Sequence, residues 1–197
     1  YMLLVSIFLL VLIILFAGVS GMKNPEKTEV AAKVSEPMIQ TEKIRNADYE
    51  IQEMNPLVPD KEKHVTEAVN QYLIDRAEQK DYIDYYKNVE VYMKDGPYAE
   101  TYVVLTRYDM KIKDIYTEVP GLGTLYVKKD SQGNYQITQQ VKKKEIREYI
   151  NRIAEHEDVQ ALMNQTHESY QKAVGSDALL KEALDELKDA YENSIGN

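Results

Sequence analysis

From Met2 to Val19 the chain reads MLLVSIFLLVLIILFAGV, eighteen positions with no charge and only Ser6 polar. Wound as a helix, such a run comes close to the roughly 20 residues that cross the hydrocarbon of a bilayer. The rival reading is a cleaved signal peptide, whose apolar stretch covers about 7 to 15 residues ahead of small residues at the cleavage site. Ala17, Gly18, Ser20 and Gly21 would supply those small residues. Because the apolar stretch is longer than that, residues 1–21 are expected to form an uncleaved, single-pass anchor that meets the lipid bilayer through Met2 to Val19. The chain opens on Tyr1 with no basic residue before the run, which implies a missing natural N-terminus and gives the positive-inside rule nothing to act on. The absence of cysteine, and an anchor placed ahead of a long polar chain, point to the cell membrane with the folded part extracytoplasmic.

Cysteine is absent, which excludes disulfides, thiolate zinc sites, cysteine nucleophiles and a lipoprotein anchor. The net charge of -9 argues against nucleic acid as a partner, since affinity for phosphate backbones comes from clustered Lys and Arg. The one basic run, Lys142 to Lys144, is followed at once by Glu145 and reads as a solvated first helical turn. Both phenylalanines, Phe8 and Phe16, lie in the anchor and tryptophan is absent. The folded part therefore needs an aliphatic core with tyrosines, whose hydroxyls call for water or a partner and so favour edges and cavity rims.

Residues 22–58 are polar, with Pro25, Pro37 and Pro56, and too poor in apolar area to offset the entropy of ordering; they read as a tether. Helix signals begin at Asp60, a capping residue after Pro59. Val65, Ala68, Val69, Tyr72, Leu73 and Ala77 then fall at helical spacing, with Glu67, Gln71, Asp75 and Arg76 facing away. Residues 81–86 (DYIDYY) read as a helical turn or a connector. From Val89 the period becomes two, and Asp95-Gly96-Pro97 marks a hairpin. On its second strand Tyr102, Val104, Thr106, Tyr108, Met110 and Ile112 share one face, opposite Arg107, Asp109, Lys111 and Lys113, and a bulge is expected near Lys113.

EVPGLG (Glu118 to Gly123) reads as a turn, Thr124 to Lys129 as a strand, DSQGN as a loop and Tyr135 to Thr138 as a fourth strand. Three helices follow, marked by Ile146, Tyr149, Ile150 and Ile153; by Val159, Leu162, Thr166 and Tyr170; and by Leu180, Ala183, Leu184 and Leu187. Gly175-Ser176-Asp177 stops the second and caps the third. The expected fold class is α+β: a transmembrane helix, then over residues 59–140 a bent four-stranded antiparallel sheet packed on a leading helix, then C-terminal helices over residues 141–197 packed on that domain.

The leading helix, tight hairpin, long bent strand, the run YDMKIKDIYTEVPGLGTLY (Tyr108 to Tyr126) and the closing DSQGNYQI (Asp130 to Ile137) resemble the nuclear-transport-factor-two-like superfamily, also called cystatin-like or SnoaL-like. More closely, the chain is similar to membrane-anchored extracytoplasmic proteins of Gram-positive bacteria that carry this domain. The resemblance covers Pro59 to Thr138 and, more loosely, Glu157 to Leu187. It implies a cone whose mouth binds a small molecule, catalyses isomerisation or serves as an assembly surface, so the fold by itself does not select a function. Related domains on the inner-membrane assembly factors of secretion machinery make a scaffold role plausible by analogy.

His156-Glu157-Asp158-Val159-Gln160 begins like a zinc-hydrolase motif but lacks its second histidine. His156 and His167 would stand about 16 Å apart on one helix at about 1.5 Å per residue, too far to share a metal. Asp109 is the best acid-base candidate, yet alternation places it with Arg107 and Lys111 on a solvated face. No cofactor or metal is implied. Candidates for lining a ligand cavity are Tyr102, Tyr108 and Met110, together with Tyr126; the competing assignment puts them in the core. Three functions compete. The first is a non-enzymatic, membrane-tethered domain that binds a protein or envelope component. The second is a small-molecule sensor or carrier, which needs a cavity of ligand size. The third is a SnoaL-like isomerase or hydrolase, which needs a buried carboxylate beside a tyrosine hydroxyl.

Overall fold

The computed structural model describes residues 52–61, 63–138 and 141–195; the expected anchor and nearly all of the tether lie outside the described residues. Among the described residues no helix is long and apolar enough to cross a membrane. Among those residues the fold is α+β, with one antiparallel sheet of five strands in the order β1-β2-β3-β4-β5 and four α-helices. The strands are β1 (Val58–Pro59), β2 (Ile83–Asp95), β3 (Thr101–Ile112), β4 (Val119–Lys129) and β5 (Tyr135–Thr138). The helices are α1 (His64–Glu78), α2 (Lys144–Ala154), α3 (Glu157–Ser176) and α4 (Ala178–Ile195).

The expectation of four strands is corrected to five. The extra strand is β1, whose two residues pair with Met93 and Tyr92 of β2. Its shortness and its proline leave no alternating pattern to read. Residues 52–58, expected to end the tether, are held against the body instead: Asn55 Nδ2 donates to the Asp95 carbonyl at 3.0 Å, and the Leu57 amide donates to Asp158 Oδ2 at 2.8 Å. Asp60 lies ahead of the helix rather than starting it, because Lys63 turns left-handed (φ 61°) immediately before α1. Asp60 nevertheless caps that first turn, since Oδ2 accepts from the Thr66 amide at 2.7 Å and from its hydroxyl at 2.8 Å.

Residues 81–86 are no helical turn, for Ile83 already begins β2. Nor does a bulge lie at Lys113: β3 ends at Ile112, and the register shifts fall in β2, between Ile83 and Tyr85 and between Lys87 and Glu90. The second shift decides what faces the core. Tyr86 pairs with Met110 but Val91 with Thr106, so the extra residue changes the strand's parity and lets Tyr86 and Val91 face the same side. Asn88 takes the left-handed conformation required there (φ 51°), which asparagine tolerates better than most residues. The EVPGLG segment is likewise not a turn, since β4 starts at Val119 and passes through Pro120, Gly121 and Gly123. The expected β5 and the DSQGN loop are present, with Gly133 at φ 91°.

Both faces of the sheet are covered. On one, Val65, Val69 and Leu73 of α1 meet Val91, Val104, Leu125 and Val127. On the other, Val103, Leu105 and Leu122 meet Tyr149 and Ile153 of α2 and Val159 and Leu162 of α3. A third cluster joins Ile112 and Val119 to Leu180 of α4, whose first turn is capped as expected by Asp177 Oδ1, accepting from the Leu179 and Leu180 amides.

Candidate functional site

The apolar stripe of α1 is wider than the sheet it covers. Val65, Val69 and Leu73 are buried, whereas Ile74, one step round the helix, is 53% exposed. Ile74 and Ala77 form one wall of a groove of about 710 Å³, and Ile83, Tyr85, Tyr86 and Val89 along the first half of β2 form the other. Lys113, just beyond β3, also lines the groove, as do Glu78, Lys80, Asp81 and Asp84.

Tyrosines form the floor. The ring of Tyr86 meets that of Tyr108 edge to face, with centroids 5.1 Å apart and planes at 87°, the arrangement the ring quadrupoles favour. Tyr108 needs a residue without a side chain across the sheet, and its register partner is Gly121; a Cβ there would stand 2.5 Å from Tyr108 Cε2. The Tyr86 hydroxyl is buried with no hydrogen-bond partner among the described residues. Leaving such a group unsatisfied costs about 1–3 kcal/mol.

Arg76 completes this interior. It was expected to face away, but it is buried, and its charge acts on Tyr72, Tyr82, Tyr86 and Tyr108. Burial raises the pKa of each of these phenols, and the guanidinium works against that rise. Sequence spacing carried the signal, since Arg76 follows Leu73 by three and Tyr72 by four and so continues the buried stripe. Among the described residues no aspartate or glutamate is buried. The buried charge beside these tyrosines is the Arg76 cation, while Glu78, Asp81 and Asp84 line the groove nearer its surface.

A second group was not anticipated. Lys94 is fully buried at the rim of a smaller pocket of about 260 Å³ beside Met54, Val58 and Tyr102. Its ammonium donates to the Asn55 carbonyl at 2.6 Å and to Asp158 Oδ2 at 2.8 Å. Asn55 Nδ2 also donates to the Tyr149 hydroxyl, which donates in turn to the Asp95 carbonyl. Burial pushes the Asp158 carboxyl up, but hydrogen bonds from Lys94 and the Leu57 amide outweigh it and hold the group below the usual carboxylate range. This clasp joins residues 52–57, β2, α2 and α3, and its chemistry is structural.

The structure disperses the four residues proposed to line a cavity. Tyr108 is 3% exposed and lies behind Tyr86 at the groove floor. Tyr102 lies at the smaller pocket, its ring 6.1 Å from that of Tyr135. Met110 packs on the third cluster. Tyr126 is buried and pairs with Val103, which places it on the opposite face, under α2 and α3. Asp109 accepts from Asn88 Nδ2 at 2.8 Å at the surface. His156 precedes α3, and His167 stacks on Tyr170. Among the described residues no three His, Cys, Asp or Glu side chains gather as a metal site. No protein-family model matches the chain, and no curated protein and no solved structure matches it either.

Proposed function

We propose that the chain is a membrane-tethered, extracytoplasmic and non-catalytic binding domain, and that a protein or envelope component docks in the groove between α1 and β2. The observation that carries this reading is the groove itself: open, walled by Ile74, Ala77 and Val89, and floored by a tyrosine hydroxyl with no partner among the described residues. Kinship with nuclear-transport-factor-two-like domains belongs to the same proposal and is supported by the order of helix, hairpin and long strands. The test is a photo-crosslinking residue placed at position 74 of the full chain in its native membrane, with position 188 on α4 as the control. A discrete adduct from position 74 alone is expected; adducts of equal yield from both, or from neither, would refute the groove as the docking site.

One observation favours a small molecule as the occupant. The groove volume lies within the roughly 300–1,000 Å³ typical of ligand pockets, and the buried Tyr86 hydroxyl could meet a ligand's polar group. Native mass spectrometry of the detergent-released protein would then show a retained small molecule, and Tyr86→Phe would lower its occupancy. Equal occupancy in both proteins would remove this reading.

A further inference from the structure

We infer that the occupant of the groove is an extended peptide from a partner protein, added as a strand to the open edge of β2; this rests on the binding reading above. Only Tyr92 and Met93 of β2 pair with β1, and the Asp60 amide reaches the Val91 carbonyl at 3.0 Å. Beyond that point residues 83–90 have no strand on this side among the described residues. The same edge therefore already accepts a strand where the chain supplies one. The chain then leaves at Lys63, whose φ of 61° turns it into α1, and the line of pairing it abandons continues into the groove.

The two walls of the groove offer a peptide different things. The edge of β2 offers main-chain groups with no strand partner among the described residues between the Ile83 amide, which the Lys80 carbonyl accepts at 3.0 Å, and the Val91 carbonyl, which accepts from Asp60, and α1 offers the apolar side chains of Leu73, Ile74 and Ala77. An extended peptide uses both, because its main chain bonds to the edge while every second side chain turns into the groove. A docked helix has already satisfied its own main chain and leaves the β2 edge bare. Register shifts on either side, between Ile83 and Tyr85 and between Lys87 and Glu90, leave residues 85–87 as the regular edge, roughly 10 Å at about 3.4 Å per residue. That length pairs with about three residues of a peptide, whose flanking residues lie against α1. Exposed edges are commonly guarded by charge; Lys87 is drawn across the sheet to Glu118 at 2.6 Å, while Glu78, Asp81 and Asp84 line the groove itself.

A display library of random heptapeptides, selected on the full chain in detergent micelles, tests this. Enrichment of peptides with apolar residues at every second position is expected. A synthetic copy of the winner should slow amide hydrogen exchange in residues 85–87 by at least tenfold. Methylating alternate peptide nitrogens, which removes the strand's donors, should weaken binding by tenfold or more, and Ile74→Asp, a change at an exposed position, should do the same. No enrichment, enrichment at helical spacing, or equal binding of the methylated copy would each overturn strand addition. A position-74 adduct obtained alongside any of those results would leave the groove as the docking site and refute only the peptide's strand geometry.

Discussion

Gly121, Tyr108 and Tyr86 form a chain of dependence in which the smallest residue sets the position of the largest. Tyr108 occupies the space a Cβ on Gly121 would need, and Tyr86 rests edge-on against Tyr108. Gly121→Ala is therefore expected to destabilise the fold by about 1–3 kcal/mol, the usual range for overpacking. Urea denaturation would measure this, and adding Tyr108→Val should return part of the loss. Tyr86→Phe should behave in the opposite way. Removing a buried hydroxyl without a partner leaves stability unchanged or raises it by up to about 1 kcal/mol, and a clear loss of stability would mean that the group is satisfied after all. Neither relation was legible in the sequence, where Gly121 looked like part of a turn. Arg76 is illegible for another reason: at the edge of an apolar stripe its charge reads as solvent-facing by type, while its spacing from Tyr72 and Leu73 places it in the interior.

The strands show where period-two reasoning stops. Alternation identified the faces of β3 correctly from Tyr102 to Tyr108, but it gives parity only within one strand. Whether Tyr126 shares a face with Tyr108 depends on the register between β3 and β4, and with Met110 opposite Val119 the even residues of β3 meet the odd residues of β4. The loop of residues 113–118 sets that register, and its length is not legible in the sequence because Pro120 and the two nearby glycines read as turn signals. The clasp around Lys94 escaped because its members are distant in sequence. It makes a definite acid-stability prediction. The Asp158 carboxyl has a folded-state pKa below its unfolded value of about 3.9, so its contribution is complete above that value and is lost as pH falls through the folded-state one. Subtracting the melting curves of Asp158→Asn from those of the parent protein should leave a difference that is constant above about pH 5 and shrinks below about pH 4. A difference that does not change with pH would show that the carboxylate contributes no linked stability.

Taken whole, the molecule sets a sheet whose neighbours in space are neighbours in sequence against a clasp that spans the chain. Every strand pairs with the one made just before or after it, whereas Asn55 to Tyr149 and Leu57 to Asp158 join residues separated by 94 and 101 positions. Closing a short loop costs less entropy than closing a long one, and chains rich in local contacts cross their folding barrier sooner. The meander can thus assemble from its hairpins while the clasp waits for the last helices. Substitutions in the β2–β3 hairpin should mainly slow refolding in stopped-flow measurements, and Asn55→Ala or Asp158→Asn should mainly hasten unfolding. The entering segment then becomes the latch of the finished body, fastened last and the first to let go when the chain ahead of it is pulled.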